Sequence, residues 1–447
     1  MVKVITYGTF DLFHQGHYNL LKRAKELGDY LIVGVTSESF DKNRGKLNVR
    51  DSLIKRIENV RQTGFADEII VEEYIGQKID DIKKYHINIF TVGSDWTGHF
   101  DYLNEYCKVQ YLERTLGVSS TEIRNKDTIN IGIVGAENIV SRFCDEAKYV
   151  SGINLVGIYD VNERISYVDK ISSDNNLLVF TKLDEMLKHV DAVYICCPPK
   201  YHFDYCVTAL NAGKHVMCEF PFCLKRKEAQ RIYEIANKKS LIVFHALKTA
   251  YAPAFQRLVS LAKTGIIGNV LAVEANFTQI LGSRLPLQVR ASSGGSVNAL
   301  SEYPMLAFIK LLGSNYKEVS FFSHVNRKYD VDVFTKMYLQ YEKSIATATI
   351  AIDAKSEGSM TITGTKGYFY VPAPWWKTEY FEARFEDINQ NMKYFYKFQG
   401  EGLRYEIAEF SKCVINGEKC LHLTENETLT MTDIIERYNS GIYTRYM

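Results

Sequence analysis

Residues 2–17 read Val2-Lys3-Val4-Ile5-Thr6-Tyr7-Gly8-Thr9-Phe10-Asp11-Leu12-Phe13-His14-Gln15-Gly16-His17, and this stretch decides how the first part of the chain folds. Val2 to Tyr7 has the apolar character of a buried strand, Gly8 to Asp11 reads as a turn, and a helix is predicted to open around His17. The order strand, turn, helix start places His14 and His17, three residues apart, at a helix N-terminus. Unpaired N–H groups and the macrodipole favour anions there, and Gly16 leaves room for a phosphate against the backbone. The pattern points to a nucleotide triphosphate site. Two histidines at this spacing would also suit an exposed helix start or a metal pair, and the decision rests on what accompanies them.

About a hundred residues on, Arg114-Thr115-Leu116-Gly117-Val118-Ser119-Ser120-Thr121-Glu122-Ile123 reads as a loop entering another helix. Hydroxyls, backbone N–H groups and an arginine are what a β,γ-phosphate requires; Ser119 or Ser120 can also cap the helix. With Ile5 to Asp11 and Gly93-Ser94-Asp95-Trp96, residues 1 to about 125 resemble the glycerol-3-phosphate cytidylyltransferase family. The resemblance implies a Rossmann-like nucleotidyltransferase domain over 1–126, transferring CMP from CTP to an alcohol phosphate with release of pyrophosphate. It implies that His14 and His17 stabilise charge on the phosphates and leaving group, helped by Lys46 and Arg114. Thr9, Phe10, Asp11, Gly16, Gly93, Asp95, Thr115, Ser119, Ser120 and Thr121 would surround CTP. Mg²⁺ would bridge the CTP phosphates, with Asp11 a partner for the metal or the histidines. The basic run Lys42 to Lys46 falls where the family places phosphate-binding lysines; a solvated charged loop is its other reading.

At 447 residues the chain calls for two or three compact units. Its 46% apolar and 24% charged residues are ordinary for a globular protein. A formal net charge of +1 argues against a nucleic-acid partner. The 9 cysteines are scattered, with one close pair at Cys196-Cys197 and no CxxC, so they read as buried thiols in a reducing compartment. No leader pattern opens the chain, and nowhere do 18 apolar residues run together. A cytoplasmic location with no membrane partner is expected.

After the short polar stretch Arg124 to Asp127 the pattern restarts. Ile129 to Val134 reads as a strand, followed by Gly135, a helix through Asn138 and Ile139, and a second strand, Leu155 to Tyr159, ending in Asp160. A third strand is expected at Ala192 to Cys196. This opens a dinucleotide-binding βαβ unit, with Asp160 near the usual place for gripping a ribose 2′-hydroxyl. The glycine fingerprint is incomplete, because Glu137 stands where the second glycine would be. Further on come Cys197-Pro198-Pro199-Lys200-Tyr201-His202 and Gly213-Lys214-His215-Val216-Met217-Cys218-Glu219-Phe220-Pro221. With Gly294-Gly295 and Gly364-Thr365-Lys366-Gly367, residues 128–447 resemble the glucose-fructose oxidoreductase and inositol dehydrogenase family. The resemblance implies an α/β architecture with a Rossmann domain over 127–246 binding NADPH or NADH, contacted by Cys197, Pro198, His202 and Glu219. An α+β domain over 247–447, with an open, mostly antiparallel sheet, would complete it. Ala346 to Ile352 alternates as such a strand requires. Asp160 favours NAD on charge grounds, and Arg164 offsets this for NADP.

Two departures stand out. The family's Glu-Lys-Pro supplies a lysine beside the nicotinamide; here Phe220 occupies that position. Ala299 and Tyr303 stand where the family places an aspartate and a histidine. Either the C-terminal half is an inactive scaffold or sensor, or its proton donors have moved, with Lys248 in Phe244-His245-Ala246-Leu247-Lys248-Thr249-Ala250-Tyr251, or Tyr303, protonating a developing alkoxide. Each has a plainer reading, as a surface lysine and as a core tyrosine among 30. The fusion suggests reduction of a ketose phosphate to an alditol phosphate, then formation of a CDP-alditol for surface polysaccharides; oxidoreduction of the CDP-linked product would reverse the order. Trp375-Trp376 suits a sugar pocket or packing between strands. A homo-oligomer is expected from both families.

Overall fold

The computed structural model describes residues 1–43, 49–74, 76–113, 128–160, 165–285, 294–442 and 444–446. The chain divides into two compact units, Met1–Thr128 and Ile129–Met447.

In the first unit five parallel strands, β1 (Lys3–Gly8), β2 (Tyr30–Thr36), β3 (Glu68–Glu72), β4 (Ile89–Gly93) and β5 (Lys108–Leu112), form a sheet in the order β3-β2-β1-β4-β5. Ile5 registers with Ile32 on one side and Phe90 on the other. Val4, Ile5, Leu31, Ile32 and Val33 are fully buried, as expected when helices cover both faces of a parallel sheet. The strand order reverses between β1 and β4, so their C-terminal ends diverge into a crevice. The predicted first helix starts at Gln15, two residues before His17, because the His14 side chain caps it.

Beneath that crevice lies a fully buried arginine. Arg56 donates to the Thr9 and Thr36 carbonyls at 2.8 and 2.9 Å, to the Asp51 carbonyl at 3.1 Å, and to the Asp41 carboxylate at 3.3 Å. Asp41 in turn accepts from the Thr9 and Thr36 hydroxyls at 3.1 and 2.6 Å. One ion pair thus joins the turn after β1, the end of β2 and the segment before the helix Leu53–Gln62.

The second unit begins with a six-stranded parallel sheet. Its strands are β6 (Ile129–Val134), β7 (Ile153–Tyr159), β8 (Leu178–Phe180), β9 (Ala192–Ile195), β10 (His215–Glu219) and β11 (Val243–Ala246), ordered β11-β10-β9-β6-β7-β8. β6 matches the sequence expectation, β7 starts two residues earlier and β9 ends one residue sooner. The chain then builds a ten-stranded sheet from β12 (Val270–Ala275), β13 (Phe277–Thr278), β14 (Glu318–Asn326), β15 (Val331–Gln340), β16 (Ile345–Ala351), β17 (Met360–Gly364), β18 (Gly367–Val371), β19 (Tyr380–Phe385), β20 (Met392–Phe395) and β21 (Thr444–Tyr446). Pairing is mostly antiparallel; β12 and β13 run parallel to β16, and β21 to β14. The alternating stretch Ala346 to Ile352 is β16, with one residue beyond it. Among the described residues, no helix is long and apolar enough to cross a membrane.

Removing one partner of a buried ion pair strands the other, at a cost of about 3–5 kcal/mol. Arg56→Ala is therefore expected to destabilise the first unit by about that amount, read by hydrogen exchange of the β1 and β2 amides in denaturant. The double change Arg56→Met with Asp41→Leu should cost less than Arg56→Ala alone.

Candidate active sites

In the first unit the chain leaves β1 through two residues with positive φ, Phe10 at 52° and Leu12 at 48°. The sharp turn brings His14 to the start of the helix Gln15–Lys25. His14 Nδ1 accepts the Gly16 N–H at 3.0 Å, so the neutral ring carries its proton on Nε2. His14 and His17 stack with ring centroids 3.9 Å apart and 20° between planes. Phe10 and Phe13 hold His17, each at 5.5 Å. Two imidazoles are thereby fixed at a helix N-terminus beside the sheet's reversal point.

Asp11 is buried, and its Oδ1 accepts the backbone N–H groups of Arg50 and Asp51, both at 2.9 Å. Asp51 returns the tie by accepting the Leu12 N–H at 3.1 Å. The geometry makes Asp11 an anchor for the segment that follows the basic run. Thr9 is held by Asp41, Gly93 ends β4, and Asp95 lies exposed in the turn just beyond. Lys46, Arg114, Thr115, Ser119, Ser120 and Thr121 lie outside the described residues. One cation escaped the sequence reading: Lys78 is buried, pairs with Glu72 at the end of β3, and stands 4.5 Å over the ring of Tyr7 near the end of β1.

In the second unit the strand ends of the Rossmann sheet open on a cleft of about 680 Å³. Asn138, Ile139, Cys197, Glu219, Lys248 and Tyr303 all line it, and Pro198 sits between the lining residues Cys197 and Pro199. Gly135, at the end of β6, has φ +107°, and a Cβ there would stand 2.7 Å from the Cys196 carbonyl oxygen and the Cys197 nitrogen. Asp160 follows β7, and its Oδ2 is buried without a hydrogen-bond partner. A backbone cradle that admits only glycine and an unsatisfied acceptor one strand away fit a dinucleotide's pyrophosphate and ribose. His202 is placed differently. It is fully buried, Nε2 lies 2.8 Å from the Cys197 carbonyl and Nδ1 lies 3.0 Å from that of Pro221, so it ties two cleft loops together.

Lys248 is positioned by a tight turn directly after β11. Tyr251 donates back to the His245 carbonyl at 2.7 Å, Thr249 to the Trp376 carbonyl at 2.9 Å, and Lys248 Nζ to the Glu401 carbonyl at 2.8 Å. Burial, with Lys377 nearby, lowers the Lys248 pKa. Glu219 accepts from the Tyr194 hydroxyl, and burial pushes its carboxyl up to about 7. Glu406, from the helix Leu403–Asn416, was invisible in the sequence. It is fully buried on the cleft wall, neither oxygen has a hydrogen-bond partner, and burial with Glu219 beside it raises its pKa strongly. Tyr303 is also raised by burial; it packs edge-on to Phe220 at 5.1 Å and to Phe277 at 4.9 Å. The two tryptophans divide the alternatives. Trp375 is core, donating to the Asn276 carbonyl at 3.0 Å, and Trp376 lines the cleft, stacked on Phe277 at 3.8 Å.

Residues 5–126 match a family described as cytidylyltransferase-like. The glycerol-3-phosphate cytidylyltransferase of Bacillus spizizenii is 50% identical over 124 residues, covering 28% of this chain and 95% of that protein. The chain belongs to the cytidylyltransferase family. Its second unit matches an oxidoreductase family with an NAD-binding Rossmann fold over 129–247, and the GFO/IDH/MocA C-terminal domain over 255–370. Trans-1,2-dihydrobenzene-1,2-diol dehydrogenase of Sus scrofa is 28% identical over 273 residues, 57% of this chain and 78% of that one. Among solved structures, KijD10, a 3-ketoreductase from Actinomadura kijaniata in complex with NADP and TDP-benzene, superposes with a TM-score of 0.64 at 18% identity, covering 72% of this chain and 100% of its own. This cytidylyltransferase is thus fused to a domain of the NAD-binding oxidoreductase family.

Two outcomes follow. Gly135→Ala should abolish the enhancement of NADH or NADPH fluorescence on binding while leaving cytidylyl transfer intact. Glu219 has a folded pKa raised from 4.5 to about 7, so its contribution to stability is full below about pH 4.5 and is lost as pH rises through about 7. Urea unfolding of the wild type should show that decline, and Glu219→Gln should flatten it.

Proposed function

We propose that the chain is a bifunctional enzyme in which the second unit reduces a phosphorylated ketose, such as fructose 6-phosphate or dihydroxyacetone phosphate, and the first converts the resulting alditol phosphate to a CDP-alditol. The observation that carries this reading is the pairing, in one chain, of a glycerol-3-phosphate cytidylyltransferase-like site with a nicotinamide-type cleft, whose wall sets Lys248, Lys355 and the Glu401-paired Arg142 and Lys377 among the glutamates Glu137, Glu219 and Glu406. Basic side chains suit a phosphorylated substrate, and the product of such a reduction is what the first site would consume.

At the first site the alditol phosphate oxygen attacks the α-phosphorus of CTP in line. His14 and His17 hydrogen-bond the phosphate oxygens as charge moves to the pyrophosphate, so catalysis is positioning and electrostatics. Asp11 Oδ1 already accepts the Arg50 and Asp51 amides, which favours a magnesium ion that would arrive with the CTP phosphates. At the second site Gly135, Asn138 and Asp160 would hold the dinucleotide, which supplies the hydride. Lys248 gives its Nζ proton to the forming alkoxide. It is preferred to Tyr303 because burial makes the ammonium a stronger acid and the phenol a weaker one. Exposed Phe322, Tyr338 and Ile345 on neighbouring strands β14, β15 and β16 support assembly of copies through the open sheet face.

The test is oxidation of NADPH or NADH with a panel of ketose phosphates, with CTP and Mg²⁺ supplied or withheld and products followed by mass. Hydride transfer to one ketose phosphate, with a CDP-alditol appearing only when CTP is present, is expected. Cytidylyl transfer without any nicotinamide oxidation would overturn the reductive half. Lys248→Met should lower ketose reduction by about 10²–10⁴-fold with CTP turnover unchanged, and His14→Ala should lower CTP turnover by about 10²–10³-fold with reduction unchanged.

A further inference from the structure

The helix Leu403–Asn416 presents Glu406 to the cleft, and Glu409 and Cys413 follow it along the helix toward the C-terminal end. Glu409 and Cys413 are four residues apart, hence on one helix face. The helix ends at Gly417, which adopts φ +67° and reverses the chain. The return brings Cys420 back against Cys413, so that the two sulfurs and a Glu409 carboxylate oxygen all lie within 4.8 Å of one another. Two residues further, His422 Nε2 stands 3.6 Å from Glu409 Oε1. Both cysteines are buried and free. Thr424 then starts the next helix with a capping box.

We propose that Glu409, Cys413, Cys420 and His422 form a zinc site. Two soft sulfurs, an imidazole nitrogen and a carboxylate oxygen are a donor set zinc accepts in tetrahedral geometry. Bonds of about 2.3 Å to sulfur and about 2.0 Å to nitrogen or oxygen place neighbouring donors about 3.3–3.8 Å apart; Glu409, Cys413 and Cys420 already lie within 4.8 Å of one another, and His422, 3.6 Å from Glu409 but outside that cluster, would swing its ring inward to complete the set. All four donors come from protein, which makes the site structural, with no open position for substrate. The ion would clamp the C-terminal end of the helix that carries Glu406 to the turn leading into the helix Glu425–Asn439. No CxxC announces it, because the spacing is Cys-x6-Cys and the turn at Gly417, rather than a short knuckle, brings the thiols together.

The site stands independently of the substrate assigned to either half, and its test reads metal directly. The full-length wild-type protein, purified under reducing conditions without chelator, should carry about one zinc per chain by plasma mass spectrometry. After removal of zinc, titration with Co²⁺ alone should give a thiolate-to-cobalt charge-transfer band and the intense visible band of a tetrahedral ion. Cys413→Ser and Cys420→Ser should each lose both signals, and His422→Ala should weaken Co²⁺ binding about tenfold or more, while CTP turnover by the first unit is retained. A wild-type protein without zinc that gives no cobalt band overturns the proposal, as does a Cys413–Cys420 disulfide found by mass in protein purified under reducing conditions. The wild type alone supplies the deciding measurement, so the test holds even where a variant fails to fold.

Discussion

A parallel sheet delivers the C-terminal ends of all its strands to one edge, where the last carbonyls and the first N–H groups of the following helices meet solvent together. Both units of this chain contain such a sheet, and both place their candidate site residues within a few residues of a strand's end. In the first, β1 runs into Thr9, Phe10 and His14, and β4 into Gly93 and Asp95. In the second, β6 leads into Gly135, β7 into Asp160, β9 into Cys197 and β11 into Lys248, and β10 ends at Glu219. The sheet thereby does most of the positioning; each functional group needs only a short turn to hold it.

Those turns contain buried charge. Under the first site the Arg56 guanidinium and Asp41 carboxylate are tied to carbonyls and hydroxyls of three segments. A pair so well hydrogen-bonded serves as a brace, because moving either turn would strand a charge in a dry interior. In the second unit the Glu406 carboxyl oxygens and Asp160 Oδ2 have no protein partner. An unmet acceptor is costly to bury, so these positions are the ones a ligand would relieve.

What could be read from sequence follows the range of the interactions. Strand-turn-helix signals act over a few residues, and β1, β6, β7, β9 and β16 were all legible, as was the gathering of Asn138, Cys197, Glu219, Lys248 and Tyr303 around one cleft. The helix start at Gln15 was misjudged by two residues because a histidine served as the cap. His202 lies near the expected loop, yet packing turned it into a tie between carbonyls. Glu406, the Arg56–Asp41 brace and Lys78 carried no local signal: each is defined by a partner that only tertiary folding supplies. The same holds for Trp375 and Trp376, adjacent in sequence and sent by a 3₁₀ turn to the core and to the cleft.

The exchange of lysine for Phe220 acquires a physical meaning in this light. Phe220 packs edge-on against Tyr303, which packs edge-on against Phe277, which stacks on Trp376. The position has become the first member of an aromatic wall, and an ammonium there would be buried among rings. The cation stands one strand over instead. Glu219 at the end of β10 registers with Ala246 at the end of β11, and Lys248 lies two residues beyond, near enough to hold the Glu219 pKa below what burial alone would give. The carboxylate keeps a cationic neighbour while the lysine arrives from the adjacent strand. A lysine held by a turn whose tyrosine, threonine and ammonium are all hydrogen-bonded is more rigidly aimed than one on an open loop. A cation therefore still stands beside Glu219 in the cleft, although the position after it in the chain is aromatic.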